Sequence, residues 1–206
     1  MTFDTERANS PGVPGLDIAA NRASKKWSRR ELIGRALWEL FSLPLFAWTP
    51  RPFWAWRRAV LRLFGAHIGR EVHLHPSVRI TVPWNLDLAD AVAIGDGAIL
   101  YALGPIRIEK GASVSQYAHL CAGTHDHTRS DLPLLKLPIT IGSGAWICAD
   151  AFVGPGVTVE ELAVVGARAV VVRDVPARAI VVGNPARKVG ERQLIEHANL
   201  SSDPDS

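Results

Sequence analysis

The stretch Pro138–Val175 reads PITIGSGAWICADAFVGPGVTVEELAVVGARAVVVRDV and carries an aliphatic residue at every sixth position: Ile141, Ile147, Val153, Val159, Val165 and Val171. Four residues after each comes a small or β-branched side chain: Ala145, Ala151, Val157, Ala163, Ala169 and Val175. A helix repeats its apolar face every three to four residues and a strand every two, so neither produces this spacing. Six residues suffice for a short strand and a tight corner. Three such units close a triangular coil, and coils stack at the interstrand distance of about 4.8 Å with their backbone groups paired from coil to coil. An internal repeat settles the architecture ahead of local propensity, and doubly wound and barrel folds fall away. Glycine often follows the aliphatic residue, as at Gly142, Gly154 and Gly166. The register runs back through Ile108, Val114 and Leu120, with Ala112, Ala118 and Thr124 in the small position. Weaker echoes link Ile68 to Leu74 and Leu88 to Ile94.

Outside the repeat the chain changes character near Gly65. Residues 1–26 are rich in Pro, Gly, Ser and Asn and read as a disordered tail; residues 191–206, ending SSDPDS, form a C-terminal tail. Residues 27–64 read as a helical extension. Leu32, Ile33, Ala36, Leu37, Leu40 and Phe41 follow the spacing of an amphipathic helix, with Ser28 as N-cap and Glu31 completing a capping box. Pro44 ends or kinks this helix, and a second starts near Pro52 and carries Trp56, Val60, Leu61 and Phe64. Trp38, Trp48, Trp54 and Trp56 crowd here, either packed on the repeat domain or lying at a bilayer boundary with arginines toward headgroups.

At 206 residues the chain holds one well-buried domain with appendages. Net charge is only +3, yet Arg22 to Arg70 gathers basic residues against Glu31 and Glu39 alone. That asymmetry suits an anionic neighbour (phosphate, acidic glycan or lipid headgroup) or a solvated helix face; no nucleic-acid partner is expected. Cys121 and Cys148 form no CxxC pair and suggest no disulfide framework, which fits a reducing compartment. The first fifteen residues lack the apolar core of a secretory signal, and no run reaches the roughly 18 apolar residues of a membrane span. A cytoplasmic protein is the expectation, with peripheral contact at the inner membrane face through residues 27–64 as its variant.

The segments PITIGSGAWICADAFVGPGVTV, VVGARAVVVRDVP and VVGNPARKVG resemble the terminal coils of the hexapeptide-repeat acyltransferases, whose fold is a left-handed parallel β-helix. They look like sugar O-acetyltransferases such as the galactoside, maltose and nodulation enzymes. The resemblance spans about residues 65–190. WRRAVLRLFGAHIG, PWNL and GTHDHT further resemble the colanic acid biosynthesis branch, which carries a Trp- and Arg-rich helical extension. The resemblance implies the handedness, acetyl-CoA as acyl donor with no metal, a saccharide or lipid-linked saccharide acceptor, and a homotrimer with its groove between subunits. Spacing by itself gives only the repeat.

The excursion CAGTHDHTRSDLPLLKLPITIG, Cys121–Gly142, is the one sizeable interruption in the regular half of the solenoid. In register, Leu120 points inward, Thr124 takes the interior small position and His125 faces outward, as does Trp146. Loops on a rigid scaffold commonly build sites. The resemblance aligns His125 with a general base, and an imidazole titrating near neutrality suits removal of a sugar hydroxyl proton. Its orienting partner cannot be assigned from sequence. Asp126 is adjacent and is an acceptor-site candidate, as is Asn85 of PWNL by resemblance, while Asp87, Asp90 and Asp96 read equally as turn residues. The donor to the thioester oxygen is implied to be a backbone N–H near Ala149, just after Trp146. Cys148 stands where glycine is common, as a small corner residue or as a thiol beside the thioester. Ala167, Val172 and Arg173 match the segment lining the adenosine end of CoA, and NPAR supplies Pro185 for adenine and Arg187 for the 3′-phosphate. Gly190 stands where a further basic residue is common.

Two other readings stay open. The γ-type carbonic anhydrases use the same β-helix with three histidines on zinc, and His73, His75, His119, His125 and His127 are present. His119 and His125 nevertheless occupy equivalent corners of adjacent faces and point apart. A non-catalytic scaffold recruited to a membrane pathway would need neither His125 nor CoA-like terminal coils.

Overall fold

Backbone N–H groups tie each coil of this chain to both of its neighbours in the stack: corner residues such as Tyr117 and Arg168 reach back to Asp96 O and Ala149 O, and rung residues reach forward. His73 N–H bonds Val92 O, Ala93 N–H bonds Ala112 O, Ser113 N–H bonds Ala145 O and Trp146 N–H bonds Ala163 O, at 2.8–3.1 Å. The computed structural model describes residues 15–195. It is a parallel β-solenoid of about six turns. The first face stacks His67–Ile68, Leu86–Leu88, Ile106–Ile108, Ile139–Ile141 and Thr158–Val159; the second runs from His73–Leu74 up to Ala179–Val182; the third runs from Arg79–Ile80 up to Val170–Val171.

The six-residue register holds. Ile141 through Val171 are at most 1% exposed, and the followers Ala145 through Val175 at most 2%. A Cβ on Gly142 would sit 2.6 Å from the Glu161 amide nitrogen, so only glycine can follow Ile141 where the next coil passes that close. One position departs from the register. Thr124 is half-exposed, because the chain leaves the coil at Gly123 and the interior place is taken by Ala122, fully buried.

The first coil has no coil beneath it, so the carbonyls along its lower edge lack ladder partners. Three arginines of the extension take them: Arg57 Nε donates to Leu74 O (2.8 Å), Arg58 Nη1 to Val72 O (3.1 Å), and Arg62 to Ile68 O and Gly69 O. Arg57 is fully buried, and its remaining donors go to Thr49 Oγ1, Pro50 O and Arg51 O. Desolvation holds its pKa below the ordinary guanidinium value, and no carboxylate pairs with it among the described residues. Part of the basic cluster thus closes the end of the solenoid. At the other end Arg187–Glu191 folds back antiparallel on Ala179–Val182.

The extension comprises three helices: α1 (Ile18–Ala23), α2 (Arg29–Ser42) and α3 (Trp54–Leu63). α2 has the expected Ser28–Glu31 capping box and gives way at Pro44 to a single wide turn, Leu43–Ala47. Its amphipathic stripe, however, is turned outward. Leu32, Ile33, Leu37 and Leu40 are exposed, while Trp38 is the buried anchor and donates from Nε1 to Ile80 O at 2.7 Å. The tryptophans divide: Trp38 is buried, Trp54 stacks on His73, and Trp48 and Trp56 remain exposed. Within the expected tail, α1 is ordered and docked. The remainder of both tails, 1–14 and 196–206, lies outside the described residues.

On the third face His119 is wedged edge-on between Tyr101 and Phe152, with Nε2 buried and unpartnered. Burial, helped by the nearby Arg79 charge, lowers its pKa. The unfolded chain therefore takes up a proton at higher pH than the folded one, and stability falls as pH drops through the unfolded value near 6.5. Thermal midpoints should decline from pH 7.5 to 5.5, and His119→Phe should flatten that decline. An identical slope in the variant would place the acid sensitivity elsewhere.

Candidate active site

The excursion folds as a hairpin in which Thr124–His125 pairs antiparallel with Leu134–Leu135. It leaves the solenoid between the third face and the first. Beneath it on the same edge Leu103 lies under Gly123, and Asn85 donates to Ala102 O and Leu103 O, both at 2.9 Å. Asn85 thus spends its amide donors on holding the corner that supports the hairpin.

His125 is exposed, and its Nδ1 lies 2.7 Å from Leu132 O. A carbonyl can only accept, so Nδ1 carries the hydrogen and the neutral ring presents its lone pair at Nε2. The orienting partner that the sequence leaves unassigned is this backbone carbonyl. Asp126 is engaged elsewhere: its carboxylate accepts from Thr128 Oγ1 and N–H, and these bonds lower its pKa.

Leu132 O has a second donor. Asn21 Nδ2 reaches it at 2.6 Å and Asp131 O at 2.7 Å, while Asp17 N–H bonds Ser130 O. Lys136 bonds Lys26 O and sits 3.5 Å over the Trp27 ring. The end of the expected tail is therefore a strap across the histidine loop. Composition hid it, since six helical residues with no buried side chain leave no apolar period to detect.

Trp146 projects from the second face, its Nε1 bonded to Ser115 Oγ at 2.8 Å. Ala149 follows at the corner leading to the third face. Its N–H has no acceptor among the described residues, and its carbonyl takes Arg168 N–H at 3.0 Å. Ala167 occupies the same edge one coil on. Cys148 is half-buried, and burial raises its pKa, which leaves the neutral thiol and favours the small-corner-residue reading. Val172, Arg173 and Arg187 line one cleft of about 290 Å³ at the C-terminal end. Lys188 joins them, two residues before the glycine that raised doubt, although its ammonium also bonds Glu191 at 2.7 Å. Pro185 is exposed beside this cleft without lining it.

Most of the expected site residues thus fall on two edges. Asn85, His125, Asp126, Val172 and Arg173 share the edge between third and first faces; Ala149 and Ala167 share the next, with Trp146 beside it. The remaining histidines do not converge. His119 lies on a flat rung, not at the corner the register suggests, and among the described residues no three His, Cys, Asp or Glu side chains are disposed to hold a metal.

No protein-family model matches the chain. Over 176 residues, 85% of this chain and 97% of the relative, it is 44% identical to the "Putative colanic acid biosynthesis acetyltransferase WcaF" of Escherichia coli K12. Its fold is similar to the maltose O-acetyltransferase of Clostridium difficile 630, with TM-score 0.73 and 21% identity over 81% of this chain and 90% of that one. It also matches a hexapeptide-repeat acetyltransferase from Vibrio cholerae in complex with acetyl-CoA, with TM-score 0.67 and 22% identity over 81% and 91% of the two chains. The fold and the comparisons together define a hexapeptide-repeat acetyltransferase. Within that class the chain belongs to the family of the colanic acid biosynthesis acetyltransferases.

Removing both bonds from Asn21 should loosen the hairpin selectively. Amide exchange across residues 124–135 should quicken by roughly tenfold in Asn21→Ala, as expected for loss of about 1.4 kcal/mol of local hydrogen bonding, with the coils unchanged. Equal protection in both proteins would make the strap a passive contact.

Proposed function

We propose that the chain transfers an acetyl group from acetyl-CoA to a hydroxyl of a saccharide, with His125 as general base. The observation that carries the reading is the Leu132 carbonyl on Nδ1, which leaves Nε2 free on a loop braced from beneath and across. Nε2 removes the hydroxyl proton as that oxygen attacks the thioester carbon, and the Ala149 N–H donates to the developing oxyanion. Collapse breaks the C–S bond, and the imidazolium returns the proton to the departing thiolate. Ala167, Val172, Arg173, Pro185 and Arg187 are assigned to the nucleotide end, with Lys188 added.

His125 and Ala149 stand on different edges of one prism. The reading therefore requires a second copy to bring its Ala149 edge to this His125, which a homotrimer supplies. The relative's name supports an exopolysaccharide precursor as acceptor. Such precursors are assembled on lipid carriers, so the enzyme is assigned to the cytoplasm at the inner membrane face. Among the described residues no helix is long and apolar enough to cross a membrane. The outward stripe of α2, with Leu40 66% exposed and Arg29 and Arg30 at its start, supports peripheral contact instead.

Turnover of acetyl-CoA against sugars and lipid-linked oligosaccharides should fall by about 10²–10⁴-fold in His125→Ala with CoA binding retained. Co-assembling His125→Ala chains with Ala167→Trp chains should restore part of the activity, since a mixed interface contains one intact half from each. Unchanged turnover in His125→Ala would remove the histidine from the chemistry, and mixed assemblies as inactive as their parents would remove the shared site. For the membrane contact, Leu32→Ser/Leu37→Ser/Leu40→Ser should abolish co-sedimentation with phosphatidylglycerol vesicles without weakening CoA binding. Wild-type protein left in the supernatant would overturn that assignment.

A further inference from the structure

Below Trp146 the outer side of the second face holds a ladder unlike the rest of the solenoid. His73 pairs with Ala93, Ala93 with Ser113 and Ser113 with Trp146, whereas the rungs above carry Val164 and Ile180. Two small side chains thus separate two aromatic ones by three rungs, roughly 14 Å. The lower wall is thickened by Trp54, stacked on His73 with ring centroids 4.9 Å apart. The result is a groove of about 650 Å³ with Ala93 and Ser113 in its floor, and with Arg51, Trp54, His75, Asp96 and Gln116 around it.

The side of this groove is polar and already oriented. Ser77 Oγ donates to Asp96 Oδ1 and accepts Gly97 N–H at 3.0 Å, which fixes its one hydrogen on the carboxylate. His75 Nδ1 lies 2.7 Å from that Ser77 oxygen and 3.1 Å from Asp96 Oδ1, and so must bring the N–H. His75 Nε2 and Asp96 Oδ2 are left as acceptors with no partner among the described residues. The Arg51 guanidinium and the Gln116 amide supply donors. Arg57 fixes the lower wall, since it packs 4.7 Å over Trp54 and bonds Arg51 O at 2.5 Å.

We infer that this groove is a sugar-ring subsite for the acceptor, formed by Trp54 of the extension together with His75 and Asp96 of the first two coils. A pyranose offers apolar C–H faces and an equator of hydroxyls; aromatic rings take the former, and fixed carboxylate, imidazole, amide and guanidinium groups take the latter. A phosphate fits poorly, because Asp96 opposes it and Arg51 is the only permanent cation in the lining. The subsite also lies at the right height. Gln116 O accepts Asp150 N–H at 3.1 Å, so the groove ends one coil beneath Ala149. The inference rests on the acetyl-transfer reading of that edge, and assigns acceptor selection to residues to which the resemblance gives no role.

The test fills the groove without touching the core. Ala93 is exposed on its strand, where an aromatic side chain is tolerated, so Ala93→Phe should fold and block the floor. Saturation-transfer NMR with the methyl glycosides of glucose, galactose and fucose, in the presence of CoA, should show binding of at least one sugar by wild type and by His125→Ala. Ala93→Phe and Trp54→Ala should lose that signal by tenfold or more while titrating CoA with unchanged affinity. Absence of sugar binding by wild type, or equal binding by Ala93→Phe, overturns the subsite. Loss of CoA affinity in Ala93→Phe would give the groove to the donor and overturn it too. Unimpaired turnover by His125→Ala would strike the general-base reading alone, because the sugar signal does not depend on it.

Discussion

The coil-to-coil hydrogen bonding of the backbone is the constraint on which the rest of this molecule depends. Each coil exchanges N–H···O bonds with the coils on either side of it, so the interior of the stack is self-satisfied and its ends are not. At the N-terminal end the lower edge of the first coil presents carbonyls that need donors from outside the stack. Arg57, Arg58 and Arg62 on one helix meet that need, which explains why a buried arginine with no carboxylate partner among the described residues is stable there. The same helix then becomes a rigid fixture, and Trp54 and Arg51 are held beside the second face as a consequence.

A closed stack with an aliphatic interior has no room for chemistry inside it. Function is confined to the outer side of the rungs, to the corners and to whatever the corners extrude. Two of those corners carry the candidate acetyl-transfer groups: the hairpin with His125 on one edge, and the Ala149 N–H on the next. The prism's own geometry keeps them apart in a single chain. Assembly of copies is therefore part of the proposed active site and not an accessory to it.

The hairpin itself has few internal reasons to hold one conformation, being short, exposed and outside the ladder. Its order comes from neighbours. Asn85 props the corner below, and the strap of residues 17–27 binds its far side through Asn21 and Lys136. One carbonyl, that of Leu132, receives both the strap and the histidine, which couples the orientation of the ring to a segment over a hundred residues away in sequence.

The sequence by itself determined the solenoid, because a six-residue period of buried aliphatics has one physical solution and every predicted interior position except Thr124 is buried accordingly. It also marked the capping box of α2, the break at Pro44 and the outward placement of His125 and Trp146, all of them consequences of local register. Only the tertiary structure decided what the polar residues do. Whether Arg57 faces lipid or caps a coil, whether Asn21 belongs to a tail or a strap, and whether Asp96 is a turn residue or the wall of a groove depends on partners distant in the chain. Apolar burial repeats with the fold and is written as a period, whereas a hydrogen bond between remote groups leaves no period to read.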